Sequence, residues 1–274
     1  MFVDQYTMDR IHNIQYEMLK ELIRVMDLLD IKYYFVHGSF LGAVRDNEFI
    51  AEDDDIDIAI FREDYNKLMY HGQALISPQF FLQNSVNDKF PLAFGKMRKT
   101  NTAFVQPVLQ RINCNKGIYI DIFPLDYENS SFFFRMKKLF LDVRIHQFLS
   151  NGEKGIKRKI LELIARVIHV NYAKALLKRE VLFSSLKKSD YLVVFGGKSS
   201  EKHMPVAWFA DQVFFKFRDI EVSCPSGYVA YLKHIYGEDY LKHNPAGSRI
   251  EGKKIEISAD ILDFEKSYLD YIDP

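Results

Sequence analysis

The chain contains 274 residues, 48% hydrophobic and 27% charged, a composition typical of a globular protein and not of a disordered one. Its two cysteines, Cys114 and Cys224, are too few for a disulfide framework or an all-cysteine zinc site, so each is expected to be a buried free thiol. No secretory signal opens the sequence and no apolar run approaches the roughly 18 residues of a membrane span. We therefore expect a cytoplasmic protein.

The first part of the chain is predicted to alternate between helices and strands. Apolar residues recur at helical spacing over 8–30, and Thr7 is a plausible N-cap for that helix. The elements predicted next are a strand at 33–36, a short helix at 41–46, a strand at 56–61 and a helix at 62–75.

The remainder continues the mixture. Strands are predicted at 80–86, 92–98, 117–123, 191–195 and 213–222, and helices within 131–188, at 228–236 and near 261–271. This order indicates an α+β fold. We divide it into a catalytic core over 1–130, a basic helical insertion over 131–190 and a C-terminal part over 191–274 that completes the core.

The formal net charge of zero conceals an asymmetry. Residues 131–188 contain 14 Lys and Arg but four Asp and Glu, a net charge of +10, so the rest of the chain carries −10. A basic segment of this kind is typical of contact with a nucleic acid or an anionic membrane surface; a solvated helical face is the alternative.

Five of the six residues from Glu52 to Asp57 are acidic, and an apolar strand follows directly. Alternation along a strand would place Asp55 and Asp57 on one face, about 7 Å apart. Like charges beside a buried strand are costly unless something neutralises them. Hard oxygen ligands favour Mg²⁺ or Mn²⁺, so we predict a divalent-metal site here.

Asp121 is the best candidate for a third carboxylate, because it interrupts the apolar strand between Ile120 and Ile122. Asp126, beyond Pro124, is expected to order a turn instead. Upstream, Gly38 and Ser39 end the first strand and could donate to phosphate oxygens. A strand, a Gly-Ser turn, a helix and a second strand carrying Asp-x-Asp is the organisation of the nucleotidyltransferase fold of polymerase β-like enzymes.

The motif GSFLGAVRDNEFIAEDDDIDIAIFREDY within 35–65 resembles the signature of the LicD family of phosphotransferases, which includes the fukutin-related proteins. Three further blocks resemble that family in the same order: PLAFGKMRKTNTAF at 91–104, GIYIDIFPLD at 117–126 and VSCPSGYVAYLKHIYGEDYLKHNP at 222–245. Two positions depart from its pattern. Ala51-Glu52 stands where the family usually has Pro-Trp, and no His follows Arg249. The second departure could change the acceptor site or the donor preference.

The resemblance implies transfer of a phospho-alcohol from a CDP-activated donor to a sugar hydroxyl, with phosphocholine from CDP-choline as the bacterial type activity. It implies teichoic acid or lipopolysaccharide sugars as acceptors, and Asp55, Asp57 and Asp121 as metal ligands, with Asp53 more peripheral. Asp121 or Asp57 could also act as general base. If the acceptor is lipid-linked, the basic segment would hold the enzyme near anionic lipids. A choline ammonium would favour an aromatic cage, but no particular rings are indicated.

Other candidate site residues are cations and C-terminal side chains. Arg45, Lys96 and Arg98 could contact the donor phosphates, or could instead form surface salt bridges to the acidic stretch. Candidates for the acceptor or nucleotide side are Tyr236, Tyr240, His243 and Arg249.

Three other functions stay open at this point. Relatives that transfer glycerol phosphate or ribitol phosphate suggest a capsular or wall polymer as acceptor. An inactive nucleotide-binding scaffold is possible, although three strand-face carboxylates are costly without a metal. An enzyme acting on nucleic acid shares the fold, but the family motifs argue against it, and we expect no nucleic-acid partner.

Overall fold

The computed structural model describes residues 1–149, 170–195, 203–242, 250–251 and 254–271. The helices are α1 (Gln5–Leu28), α2 (His37–Arg45), α3 (Arg62–His71), α4 (Phe132–Leu149), α5 (Tyr172–Ser184) and α6 (Tyr228–Tyr236). The strands are β1 (Phe2–Val3), β2 (Tyr34–Phe35), β3 (Asp57–Phe61), β4 (Phe80–Gln83), β5 (Gly95–Lys99), β6 (Ala103–Val105), β7 (Tyr119–Tyr127), β8 (Tyr191–Val193), β9 (Met204–Pro205), β10 (Gln212–Phe217), β11 (Ile220–Pro225), β12 (Ile250–Glu251), β13 (Lys254–Glu256) and β14 (Ile261–Asp263).

The core of the molecule is a mixed sheet in the order β2-β3-β7-β5-β4. β3 and β7 are parallel at its centre, and the other pairings along this path are antiparallel. Central strands buried on both faces have near-continuous apolar sequences, which is the pattern of DIAIF in β3 and YIDIFPLDY in β7. The predicted α+β class with a mixed sheet is confirmed.

Helix α1 packs an apolar face against the sheet. Met18, Leu22 and Val25 on that face are fully buried, as the helical spacing predicts. The helix begins earlier than predicted, and its N-cap is Asp4, whose carboxylate accepts from the Thr7 amide at 2.9 Å. Thr7 is therefore not the cap.

Glu21 ties α1 to the loop after α3. Its carboxylate accepts hydrogen bonds from the Arg24 guanidinium, the Ser77 amide and the Ser77 hydroxyl, all at 2.7–2.8 Å. These donors, Arg24 above all, lower the pKa of Glu21 to about 2.

Three predicted elements differ from the structure. The strand predicted at 213–222 is an antiparallel pair, β10 and β11, turning at Arg218, which has a positive φ of 55°. The helix predicted near 261–271 is absent from that span; its first residues form β14, which pairs with β6. Helix α2 begins at His37 and not at Leu41, so Gly38 and Ser39 lie in its first turn. Pairing with the distant β6 decided the second of these differences, whereas the first is a local hairpin.

Asp126 does not order a turn. It lies within β7, fully buried, and accepts two hydrogen bonds from Arg62 at 2.7 and 2.6 Å. Arg62 also donates to Glu180 of α5 at 3.1 Å. Burial lowers the pKa of Arg62, but the charges of Asp126 and Glu180 outweigh it and raise the pKa above its usual value. Arg62 therefore links the sheet to the basic helical segment through a buried ion pair.

Outside the central path, β8 pairs with β7, and α4 packs against α5. The division at 130 and 190 stays a prediction. Both cysteines are buried free thiols, as predicted. Among the residues that the structure describes, no helix has both the length and the apolar character needed to cross a membrane.

Candidate active site

Three neighbouring strands bring acidic and basic side chains into one row across the sheet. Asp57 of β3 is directly opposite Asp121 of β7, and Asp121 is directly opposite Lys96 of β5. Adjacent strands lie about 4.8 Å apart, so these three residues are immediate neighbours.

Asp55 completes a group that we call the carboxylate cluster: Asp55, Asp57 and Asp121. Each offers one oxygen, and the three oxygens all lie within 4.8 Å of one another. Asp55 lies two residues before Asp57, where β3 begins, and Ile56 between them is fully buried. The two carboxylates therefore lie on the same side of the chain, as the alternation predicts. The Asp121 amide donates to the Ile56 carbonyl at 2.8 Å, which holds that entry against β7.

Among the described residues, Lys96 is the one cation that forms an ion pair with the cluster. Burial first, and then the neighbouring carboxylates, raise the pKa of Asp55 and of Asp57 well above the usual value. Burial also raises the pKa of Asp121 and lowers that of Lys96, although their mutual attraction opposes both shifts. A divalent cation between the three oxygens would favour the ionised carboxylates, and oxygen donors so close together suit Mg²⁺ or Mn²⁺.

Lys96 and Arg98 lie on one face of β5, as predicted, but at different places relative to the cluster. The Lys96 ammonium donates to Asp121 Oδ1 and lies 3.4 Å from the centre of the Tyr119 ring. Arg98 is fully buried and donates to Gln83 Oε1 at 2.9 Å and to the Gly117 carbonyl at 2.8 Å. Lys96 is thus in contact with the cluster, whereas Arg98 is held inside the scaffold.

The first turn of α2 supports the cluster from the other side. The Asp57 amide donates to Ser39 Oγ at 2.8 Å, so this hydroxyl positions the start of β3. Gly38 faces the Asp53 carboxylate so closely that a Cβ at position 38 would collide with it. His37 adopts φ = 50°, and its amide donates to the Tyr231 hydroxyl at 3.1 Å.

The acidic loop before β3 is anchored by groups that the sequence analysis did not identify. His12 Nε2 donates to the Asp53 carbonyl at 2.7 Å, and Gln15 Nε2 donates to the Asp54 carbonyl at 2.8 Å. Asp54 is buried, and its carboxylate accepts from the Ser258 amide at 2.6 Å. Polar residues on the buried face of α1 are the one sequence signal that could have revealed these anchors.

Asp53 and Asp54 both lie close to the cluster, because each can offer an oxygen within 4.8 Å of an Asp55 oxygen. The Asp54 carboxylate accepts from the Ser258 amide, whereas the Asp53 carboxylate faces Gly38. That Asp53 is the more peripheral of the two stays a prediction.

Of the remaining predicted residues, Arg45, Tyr236 and Tyr240 lie within the described part of the chain. Arg45 pairs with Asp46 at 2.6 Å, and the Glu52 charge also acts on it. Burial raises the pKa of Tyr236, and the charges of Tyr231, Asp57 and Asp53 contribute in that order. Tyr240 packs partly buried against the core. His243 and Arg249 lie outside the described residues.

Comparison with known proteins supports the motif-based recognition. Residues 30–148 match the LicD/FKTN/FKRP nucleotidyltransferase domain. The chain is 23% identical over 228 residues to lipopolysaccharide cholinephosphotransferase LicD of Haemophilus influenzae, covering 78% of this chain and 84% of the relative. It is 31% identical over 119 residues to the uncharacterized protein RP689 of Rickettsia prowazekii, covering 43% of this chain and 41% of the relative. The matched domain contains the whole carboxylate cluster and Lys96.

Proposed function

Because residues 30–148 match the LicD/FKTN/FKRP nucleotidyltransferase domain, we propose that this chain is a metal-dependent phosphotransferase of the LicD family. It transfers phosphocholine from CDP-choline to a sugar hydroxyl of a cell-surface glycan and releases CMP. The observation that supports it most is the group of three carboxylate oxygens within 4.8 Å of one another, inside the matched domain. We further propose a nucleotidyltransferase core of the polymerase β type, and as acceptor a lipopolysaccharide, teichoic acid or capsular glycan carried on a lipid.

The carboxylate cluster would hold Mg²⁺ or Mn²⁺. When bound, the metal would align the donor phosphates and stabilise the charge that develops on the departing CMP. Lys96 holds Asp121 in place from β5, and Ser39 holds the backbone of Asp57. Asp57 or Asp121 accepts the proton that the acceptor hydroxyl loses as its oxygen attacks phosphorus.

Groups at the rim of the cluster would bind the rest of the substrates. The charges of Asp57 and Asp53 act on Tyr236, and we assign this residue to the nucleotide or the acceptor sugar. Gly38 and Arg45 lie at opposite ends of α2, and we assign both to the donor side. For Arg98 we propose an indirect role, since its buried charge acts behind Lys96 and not by contact with a donor.

A second candidate activity is transfer of glycerol phosphate or ribitol phosphate to a capsular or wall polymer. It is favoured by the two departures from the family pattern, Ala51-Glu52 and the missing histidine after Arg249. Both reactions use the same cluster and differ in the donor alcohol.

The test is CMP release from CDP-choline, CDP-ribitol and CDP-glycerol, with Mg²⁺ or with EDTA, and with or without an acceptor extract. We expect release from CDP-choline that requires the metal and is lost in Asp57→Asn. Asp27→Asn, which changes an exposed aspartate of α1, is the matched control and is expected to retain activity. Release from another donor alone would select the second activity. No release with acceptor present, while nucleotide still binds, would identify a scaffold.

A further inference from the structure

The outward side of α4 is apolar, which is unusual for a surface helix. Its exposed side chains include Phe132 at 70%, Phe133 at 76%, Leu139 at 52% and Phe140 at 44% of their full accessible area. At 3.6 residues per turn these four lie within about 120° of the helix circumference. We call them the α4 stripe.

The inward side of α4 is apolar as well and is already occupied. Phe134 packs with Phe183 and Phe195, and Ile145 packs with Ala175 and Leu176. Because these contacts fix the rotation of the helix, the α4 stripe cannot turn into the core. Four large apolar side chains exposed side by side are uncommon on a protein surface and indicate a contact surface for an apolar partner.

Charges beside the stripe indicate which partner. Arg135 and Lys137 are exposed and flank it on opposite sides. The single acidic residue of α4, Asp142, lies towards the inward side, where Lys138 donates to it at 2.8 Å. The outer surface therefore combines aromatic and aliphatic side chains with cations along both edges.

We infer that the α4 stripe docks into the interface of an anionic lipid bilayer, with the helix axis in the membrane plane. Phe132, Phe133 and Phe140 enter the boundary between headgroups and acyl chains, and Arg135 and Lys137 contact the anionic headgroups. A second copy fits less well, because a two-fold interface through the stripe would bring its cationic edges against one another. The inference goes beyond the proposed reaction, since docking needs neither donor nor acceptor.

The first experiment is co-sedimentation of the full chain with vesicles of phosphatidylcholine alone, or of phosphatidylcholine and phosphatidylglycerol in equal parts. Two near-surface cations predict about 25-fold tighter binding to the anionic vesicles. The double variant Phe132→Ser/Phe133→Ser is expected to bind at least about tenfold more weakly. Phe214→Ser removes a phenylalanine of β10 that is 59% exposed and is expected to bind like the parent chain.

Two readouts separate docking from other causes. In Phe133→Trp, the fluorescence of the new tryptophan is expected to shift to the blue with anionic vesicles and to be quenched by brominated acyl chains. Trp208 is the one tryptophan of the parent chain, so its fluorescence provides the background. CMP release without vesicles is expected to be unchanged in the double serine variant, so failure of the reaction and failure of docking are distinguishable. Equal binding to both vesicle types, or no loss in the double variant, would overturn the inference. So would a dimer in solution that this variant dissociates.

Discussion

Removing the positive charge of Lys96 should destabilise the protein strongly, because this ammonium is the one cation in direct contact with the carboxylate cluster among the described residues. Lys96 is 1% exposed and Asp121 is 6% exposed, so neither charge is solvated well after its partner is lost. Breaking a buried ion pair by removing one partner costs about 3–5 kcal/mol. The attraction of Lys96 for Asp55 and Asp57 is lost too, which supports a figure of about 4 kcal/mol for Lys96→Met.

The assay is urea unfolding of parent chain and variant in EDTA, with the free energy of unfolding extrapolated to water. Asp55→Asn is the variant to compare with Lys96→Met, because it removes a carboxylate that repels Asp57 and that forms no ion pair with Lys96. We expect it to leave the stability unchanged or to raise it, while metal binding weakens. Lys20→Met, which removes an exposed cation paired with Glu17, is expected to cost about 0–1 kcal/mol. An unfolding midpoint for Lys96→Met equal to that of the parent chain would refute the coupling of these charges.

Three further predictions concern Glu21 on α1 and two residues that support the acidic loop. The ionised Glu21 carboxylate stabilises the folded state fully above its unfolded pKa of 4.5, and this contribution is lost as the pH falls towards 2. Glu21→Gln should therefore lower the free energy of unfolding at neutral pH by about 1 kcal/mol. The variant's urea midpoint should also depend less on pH between 4.5 and 2 than that of the parent chain. Gly38→Ala should push aside the Asp53 carboxylate, which lowers the stability of the protein and weakens Mn²⁺ binding measured by calorimetry. The double variant Gly38→Ala/Asp53→Ala should recover the lost stability. A Gly38→Ala variant as stable as the parent chain would contradict the close contact. Gln15→Leu should leave the Asp54 carbonyl without its side-chain donor and lower the free energy of unfolding by about 1–3 kcal/mol. An unchanged temperature of thermal unfolding would contradict this role of Gln15.

Helix α1 contributes no carboxylate to the cluster, yet its side chains help to position the acidic loop. Its buried face is apolar over most of its length, yet His12 and Gln15 interrupt that face and donate to the acidic loop. The loop is thereby held in one conformation before any ligand binds, and the carboxylates stay close together despite their repulsion.

The sequence by itself determined the features that depend on local pattern. Apolar spacing located α1 and α6, and alternation around Asp121 located β7. The crowding of carboxylates beside apolar strands was sufficient to select Asp55, Asp57 and Asp121 as one group, because such residues are costly without a shared counter-charge.

Only the tertiary structure decided which groups complete the site. The register of β5 against β7 sets Lys96 on Asp121, and a shift by one residue would turn that ammonium to the other face. Asp126 was misjudged because its partner, Arg62, is 64 residues away along the chain. The Asp54 carboxylate is held by the amide of Ser258, which comes from the far end of the chain. Pairings between distant residues depend on how the strands and helices pack, and no local pattern of residues contains that information.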